Sequence, residues 1–99
     1  MATAKKPARM RLVEVLDVGA AAPLKAELLT RRGAPIEIDA SAVQRTGGLC
    51  LQVLLSARAT WAVDGHDFTL AQPSEQLCEA IRNLGAAELA ADLIEETIR

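Results

Sequence analysis

The residues whose types could support a chemical function lie at the junction between a short apolar segment and a long one. Thr46 is followed by Gly47 and Gly48, and the leucine-rich run that starts at Leu49 has helical spacing. The start of a helix offers unpaired N–H groups and partial positive charge. A hydroxyl there could carry a phosphate that presents new charge to a partner. The alternative is that Thr46 simply caps the helix, and ordinary N-cap preference favours it.

The glycine pair and the neighbouring thiol each allow two interpretations. Gly47 and Gly48 would permit a partner's backbone to approach closely, or equally would permit tight packing of a strand on a helix. Cys50 in a first helical turn could be a redox-active thiolate, which is a different class of function. A catalytic thiol needs a base within reach, and His66 is the only histidine. We therefore expect Cys50 to be a small buried hydrophobic residue.

No other residues form a pattern typical of a metal, cofactor or catalytic site. His66 has no cluster of ligands at metal-binding spacing, so we expect neither a metal nor a cofactor. Asp39 ends a predicted strand, where α/β enzymes often hold catalytic acids, but we expect it to shape the loop that follows. The chain is therefore predicted not to be an enzyme.

Composition indicates a single small domain with an aliphatic core. The 99 residues are 51% hydrophobic but only 2% aromatic, and the net charge is −2. Four basic residues and no acid occur in residues 1–11, so the remainder carries seven basic against thirteen acidic residues, about −6. Such an acidic body argues against nucleic-acid binding. Glu14 and Asp17 interrupt the apolar stretch that a secretory signal peptide needs. The two cysteines are isolated from each other in the sequence, which suits a reducing compartment. We therefore expect a cytoplasmic protein.

Strands and helices are predicted to alternate, which favours an α/β fold with a small, mostly parallel sheet of three to four strands. We expect a flexible basic leader over residues 1–10 and one domain over residues 11–99. The predicted elements are strands 11–17, 35–40 and 66–71, a loop 41–46, and about four helices at 20–32, 47–63, from Pro73–Ser74 to Gly85, and 87–98.

The helix 47–63 is the most apolar segment. One stripe recurs at three- and four-residue steps through Leu49, Val53, Leu54, Ala57 and Trp61. Two further leucines widen the stripe beyond what a surface helix needs. We expect this helix to be packed on more than one side.

The segment from Pro35 to Trp61 resembles the core of a STAS domain, the module of bacterial anti-sigma factor antagonists. Family members run from an apolar strand to an aspartate, two small residues, a glycine and a leucine-rich helix. Here Arg45 replaces the aspartate, Thr46 and Gly47 form the small pair, and Gly48-Leu49 match the rest. The resemblance covers roughly residues 12–89. It implies a STAS-like fold, with a sheet trimmed by one strand at its start.

The resemblance also implies a function. STAS antagonists bind kinase-like ATPases or related partners, and their phosphorylated residue directly precedes the glycine. That position is Gly47 here, so the phosphoacceptor position is degenerate and Thr46, one residue earlier, is only a possible phosphoacceptor. Carried over by position, the partner-binding surface comprises Ser41, Gln44, Arg45, Thr46, Gly47, Gly48 and Cys50.

Two narrower resemblances remain open. Segment 47–61 is similar to small stand-alone STAS proteins of chemotaxis gene clusters, which implies a signalling kinase, such as a chemotaxis histidine kinase, as partner. The same leucine-rich helix resembles the STAS subunit of a phospholipid-transport ATPase complex. Arg45 in place of an acid would favour an acidic patch on whichever partner binds.

Overall fold

The computed structural model describes residues 8–84, which alternate between short strands and helices. The elements are β1 (Ala8–Arg11), β2 (Val15–Leu16), α1 (Val18–Leu29), β3 (Ile36–Asp39), β4 (Arg45–Thr46), α2 (Gly48–Asp64), β5 (Phe68–Ala71) and α3 (Glu75–Leu84). Strands β1, β3 and β5 form a three-stranded parallel sheet in the order β1-β3-β5, and β2 pairs in parallel with β4. The predicted α/β fold with a small parallel sheet is confirmed. The predicted helix 87–98 lies outside the described residues.

The three-stranded sheet has one apolar and one polar face because side chains alternate along each strand. The register places Met10, Ile38 and Leu70 in one row across the sheet. These three side chains are at most 5% exposed and belong to the same buried cluster as the inner faces of α1 and α2. Arg9 and Glu37 lie on the opposite, polar face and form an ion pair of 3.2 Å.

The first predicted strand, 11–17, is wrong in its bounds. The strand β1 begins at Ala8, inside the predicted leader, because the amide of Ala8 donates to Pro35 O at 2.7 Å and Met10 packs into the core. The chain then leaves the sheet, and only Val15 and Leu16 pair again, with β4. Residues 1–7 of the predicted leader lie outside the described part of the chain.

The helix α1 begins and ends earlier than the predicted range 20–32. Asp17, expected in a strand, is its N-cap, and the Asp17 carboxylate accepts from the amide of Ala20 at 3.2 Å. Pro23 therefore lies inside the helix rather than in its first turn. The helix ends at Leu29, and Gly33 follows with a positive φ of 99° that suits glycine.

The helices α1 and α2 lie side by side and run in the same direction. At their starts the Cys50 thiol donates to Asp17 O at 3.3 Å. At their ends Arg32 and Asp64 form two parallel hydrogen bonds of 2.9 and 3.1 Å. This pairing lowers the pKa of Asp64, through the hydrogen bond first and the charge of Arg32 next. The start of α2 therefore lies at the same end of the molecule as the start of α1.

The buried stripe of α2 matches the predicted one at Leu54, Ala57 and Trp61 but differs from it in the first part of the helix. The buried residues are Cys50, Leu51, Leu54, Ala57 and Trp61. Leu49, expected in the core, is 50% exposed, and Val53 is only partly buried. Trp61 closes the far end, where its indole N–H donates to Ala34 O at 2.8 Å and its ring meets Phe68 edge-on. Helical spacing predicts a stripe, but the partner elements decide its centre.

The two α2 leucines at 54 and 49 provide a matched test of this orientation. Leu54 is fully buried, so Leu54→Ala should lower the free energy of unfolding by about 2–5 kcal/mol. Leu49→Ala removes a half-exposed side chain and should change it by no more than about 1 kcal/mol. Urea denaturation followed by tryptophan fluorescence measures both. Equal losses in the two variants would contradict the orientation of the helix.

Candidate functional site

The predicted site residues meet where the chain passes from β3 through β4 into α2. We call residues 41–48 the α2 corner. Its surface is formed by five residues that were predicted to bind a partner, and all five are exposed: Ser41, Gln44, Arg45, Gly47 and Gly48. The loop predicted for residues 41–46 is wrong in its last two positions, because Arg45 and Thr46 form β4. That short strand gives the corner a fixed position.

Backbone hydrogen bonds attach the α2 corner to the segment between β1 and α1. Glu14 O accepts from the amides of Gln44 and Arg45 at 2.7 and 3.2 Å. Leu16 O accepts from the amide of Gly47 at 2.9 Å. These bonds flank and extend the β2–β4 pairing, so the entry into α2 has the hydrogen bonding of a strand rather than of a loop.

A serine before α3 holds the other side of the corner. The hydroxyl of Ser74 donates to Val43 O at 2.6 Å and accepts from the amide of Leu77 at 3.1 Å. The Ser74 amide donates to Ala40 O at 3.1 Å. The sequence correctly predicted a helix start at Pro73–Ser74. It did not reveal that the same serine fixes Val43, whose side chain is 1% exposed and anchors the loop in the core.

Asp39 shapes the start of the loop, as predicted. One carboxylate oxygen accepts from the Ser41 amide at 2.9 Å and from the Ser41 hydroxyl at 2.7 Å. The hydrogen bond from the Ser41 hydroxyl, and next the one from the Ser41 amide, lower the pKa of Asp39; burial opposes them with a smaller effect, and the charge of Arg11 adds the smallest lowering. Asp39 is thus a carboxylate engaged in a turn, which suits a structural role rather than general acid catalysis.

Thr46 does not cap α2, contrary to the prediction. The N-cap is Gly47, which has no side chain to accept a hydrogen bond. Thr46 lies in β4 opposite Leu16, and its hydroxyl oxygen is buried with no hydrogen-bond partner among residues 8–84. A buried hydroxyl in that state is destabilising. It is also out of reach of a kinase in this conformation.

The two glycines are not required by tight internal packing, which was one of the two predicted explanations. A Cβ built on Gly47 would lie 3.7 Å from Leu16 O, an ordinary contact, and one built on Gly48 would meet no atom of the described residues within 4 Å. Gly47 has a φ of −96°, which other residues adopt readily. The space in front of Gly48 is therefore open at the surface of the molecule.

Cys50 does not belong to the predicted surface, because it is fully buried beneath it. Burial raises the pKa of the Cys50 thiol, and the nearby Asp17 carboxylate adds to the effect. Both features oppose formation of a reactive thiolate, even though the residue lies in a first helical turn. Cys50 behaves as the small core residue that its apolar setting predicted.

Leu49 is the site residue that the sequence did not predict. It follows Gly48 in the first turn of α2 and is 50% exposed. Arg45 and Gly48, a few residues earlier in the chain, are exposed as well, so this part of the chain presents one cation, one aliphatic side chain and exposed backbone. Its exposure had no distinct signal, because a leucine in a leucine-rich helix is expected to be buried.

The described part of the chain shows neither a metal-binding cluster nor a membrane-spanning helix. Within residues 8–84, no group of three or more His, Cys, Asp or Glu side chains is placed to hold a metal ion. In the same range no helix has the length and apolar character needed to cross a membrane. The arrangement can present a rigid surface to another molecule.

Comparison with known proteins identifies the family to which this geometry corresponds. A family model described as "Mlab, STAS domain" matches residues 1–95. No curated protein and no solved structure matches the chain.

The turn between Asp39 and Ser41 predicts a specific dependence on pH. Ser41→Ala removes the hydroxyl donor, so the pKa of Asp39 should rise toward its ordinary value of about 3.9. Because the folded-state pKa is lowered, the bond stabilises the fold above the unfolded-state pKa. That stabilisation is lost as the pH falls through the folded-state pKa. The stability difference between wild type and Ser41→Ala should therefore be full near neutral pH and shrink in acid.

An NMR titration of the Asp39 carboxyl carbon and urea denaturation at several pH values measure these two effects. Ser56→Ala, at an exposed serine in the middle of α2, is the control and should leave the Asp39 titration unchanged. A stability difference that is independent of pH would show that Ser41 acts through something other than the Asp39 carboxylate.

Proposed function

The chain belongs to the STAS domain family, and from that membership we propose that it is a non-enzymatic regulatory protein that binds a protein partner through the α2 corner. One observation carries the proposal. Arg45, Gly48 and Leu49 are exposed within five consecutive residues, and the amides of Arg45 and Gly47 are hydrogen-bonded to the neighbouring segment. A surface that is already ordered loses little conformational entropy when it binds.

The chemistry of the corner indicates how a partner would be recognised. Arginine is enriched at the energetic centres of interfaces, and a solvent-exposed leucine beside it supplies apolar area. The open space in front of Gly48 lets a partner's backbone approach the first turn of α2. Because Arg45 provides the positive charge, the complementary surface of the partner is acidic.

We further propose that binding does not depend on phosphorylation of Thr46. The hydroxyl oxygen of Thr46 is buried, and the position that carries the phosphate in STAS antagonists is Gly47. The corner would then act as a constitutive binding surface rather than a phosphate-controlled switch. A phosphorylated Thr46 detected in cells by mass spectrometry would contradict this part of the proposal.

The proposed partner is a bacterial signalling kinase or kinase-like ATPase in the cytoplasm, with a chemotaxis histidine kinase as the leading candidate. The support is the similarity of segment 47–61 to small STAS proteins of chemotaxis clusters. A second candidate function is that of the STAS subunit of a phospholipid-transport ATPase complex. Two observations favour it: the leucine-rich α2 and the word Mlab in the description of the matching family model.

A charge reversal at Arg45 tests the proposed surface. Arg45→Glu should reduce recovery of the partner about tenfold or more when the tagged full chain is purified from its own cells, since an attractive charge becomes repulsive. Lys25→Glu, at an exposed lysine on α1, is the matched control and should leave recovery unchanged. Mass spectrometry of the recovered protein separates the two candidates, because one is a signalling kinase and the other a transport ATPase.

Gly48→Ala distinguishes binding from folding at the same corner. Alanine has a higher helix propensity than glycine, and there is room for its Cβ at this position. The free energy of unfolding should therefore rise by about 0.5 kcal/mol. Partner recovery should nevertheless fall, because the methyl group occupies the space that a partner backbone would use. Undiminished recovery with both Arg45→Glu and Gly48→Ala would show that the partner binds elsewhere.

A further inference from the structure

The helices α1 and α2 carry few charged side chains for helices that line one side of a small domain. The 12 residues of α1 contain Lys25 and Glu27, and the 17 residues of α2 contain Arg58 and Asp64. That proportion is well below the 24% of charged residues in the whole chain. A helix that packs on a core from one side alone normally has a charged opposite face. The outer side of this helix pair is therefore suited to further packing.

A groove of about 210 Å³ lies between the two helices. We call it the α1–α2 groove. Its apolar lining consists of Leu28, Leu29, Val53 and Ala57. Leu28 and Ala57 are buried and form its floor, whereas the side chain of Leu29 is 52% exposed at its rim. An apolar side chain that entered the groove would contact these aliphatic groups.

The polar lining of the α1–α2 groove is almost uncharged. Gln52, Ser56 and Thr60 are spaced four residues apart on α2, so they follow one another along the same wall. Covering them costs less than covering charged side chains, because no ion loses its water. Lys25 of α1 is the one charged side chain among the described residues that line the groove.

The acids of the same two helices do not balance Lys25. Glu27 pairs with Arg31 at 3.3 Å, one turn further along α1. Asp64 pairs with Arg32 at 2.9 Å. No ion pair joins Lys25 to another residue in the range 8–84. The charge of Lys25 is therefore complementary to an acidic group brought by an incoming molecule.

From the apolar floor, the uncharged wall and the single cation, we propose that the α1–α2 groove is a second docking site, which takes an amphipathic helix of a partner protein. The apolar stripe of that helix enters the groove, and an acidic residue beside the stripe pairs with Lys25. Side chains at three- and four-residue steps on one helix pack between two others in this way.

The main chain of α1 and α2 explains why the occupant is a helix rather than an extended segment. Within each helix the backbone N–H and C=O groups are hydrogen-bonded to each other, so they offer no partner to an added strand. An extended segment in the groove would leave its own backbone groups without acceptors and donors. A helix brings a main chain that is already satisfied.

The α1–α2 groove is separate from the α2 corner. Its lining on α2 begins at Gln52, beyond residues 41–48. Lys25→Glu should therefore impair binding at the groove and leave the corner intact, whereas Arg45→Glu should do the reverse. The two proposals fail independently.

Synthetic helical peptides test the groove on the full chain. One has leucine at every third or fourth position with glutamate beside it, a second has lysine in place of the glutamate, and a third is the acidic peptide in scrambled order. Calorimetry at low salt should show that the acidic peptide binds about threefold or more tightly than the basic one. The scrambled peptide should not bind. NMR shifts caused by the acidic peptide should centre on the amides of Lys25, Leu29 and Ser56.

Variants show whether the lining of the groove sets the preference. Lys25→Glu should reverse it, and Lys25→Gln should remove it while both helical peptides still bind. Ser56→Trp places a large side chain in the groove and should weaken both peptides about tenfold or more. Arg82→Glu and Gln76→Trp, at exposed positions of α3, are the matched controls for charge and bulk and should change neither affinity.

Three results would overturn the proposal directly. They are equal affinity of the wild type for the acidic and basic peptides, equal affinity for the acidic and scrambled peptides, and unimpaired binding to Ser56→Trp.

Two other occupants are distinguished in the absence of peptide. The predicted helix 87–98 also combines leucines with acidic residues. If Leu93→Glu shifts the amides of Lys25 and Ser56, the groove takes this segment of the chain itself, and the proposal is wrong. If those amides shift with protein concentration, the groove takes a second copy, and the proposal is equally wrong. The proposal requires that they respond to neither change.

Discussion

The pairing of β2 with β4 determines how the candidate site is built. Only two residues on each side take part, yet the carbonyls of Glu14 and Leu16 accept three amide hydrogen bonds from the chain that enters α2. Without these bonds, residues 41–47 would be an ordinary connection between a strand and a helix. With them, the start of α2 is held beside the start of α1, and the side chain of Arg45 projects from a fixed strand. The proposed binding function depends on that rigidity.

The same pairing accounts for the positions of two potentially reactive side chains near the corner. It draws the hydroxyl of Thr46 into the interior, and it places Cys50 under the corner, where the thiol donates to Asp17 O. The hydroxyl of Thr46 and the thiol of Cys50 are thus both removed from the surface. The exposed residues that remain include a cation, a leucine and open backbone, which suit recognition of a partner.

Local signals in the sequence predicted much of the fold. The strand around Ile36 and Ile38, the end of α2 at Gly65 and the helix start at Ser74 all follow from short-range patterns, and the structure has each of them. The β2–β4 pairing could not be predicted, because a two-residue strand has no periodicity and exists only through its partner. The start of β1 was assigned to the leader for the same reason. Residues 8–10 adopt a strand conformation because they pair with β3. Five of the seven predicted surface residues are exposed, whereas Thr46 and Cys50 point inward and Leu49 outward. The helical spacing of apolar residues alone did not specify the rotation of α2 about its own axis.

Hydrogen exchange at the α2 corner tests the central claim most directly. The amides of Gln44 and Gly47 are bonded to Glu14 O and Leu16 O, whereas a first-turn amide such as that of Leu49 has no acceptor within its helix. In native conditions the account predicts that Gln44 and Gly47 exchange slowly, at rates close to that of the Leu12 amide within the sheet, and that Leu49 exchanges quickly. If Gln44 and Gly47 exchange as fast as Leu49, the corner is a mobile loop, and the account of a preformed binding surface is wrong.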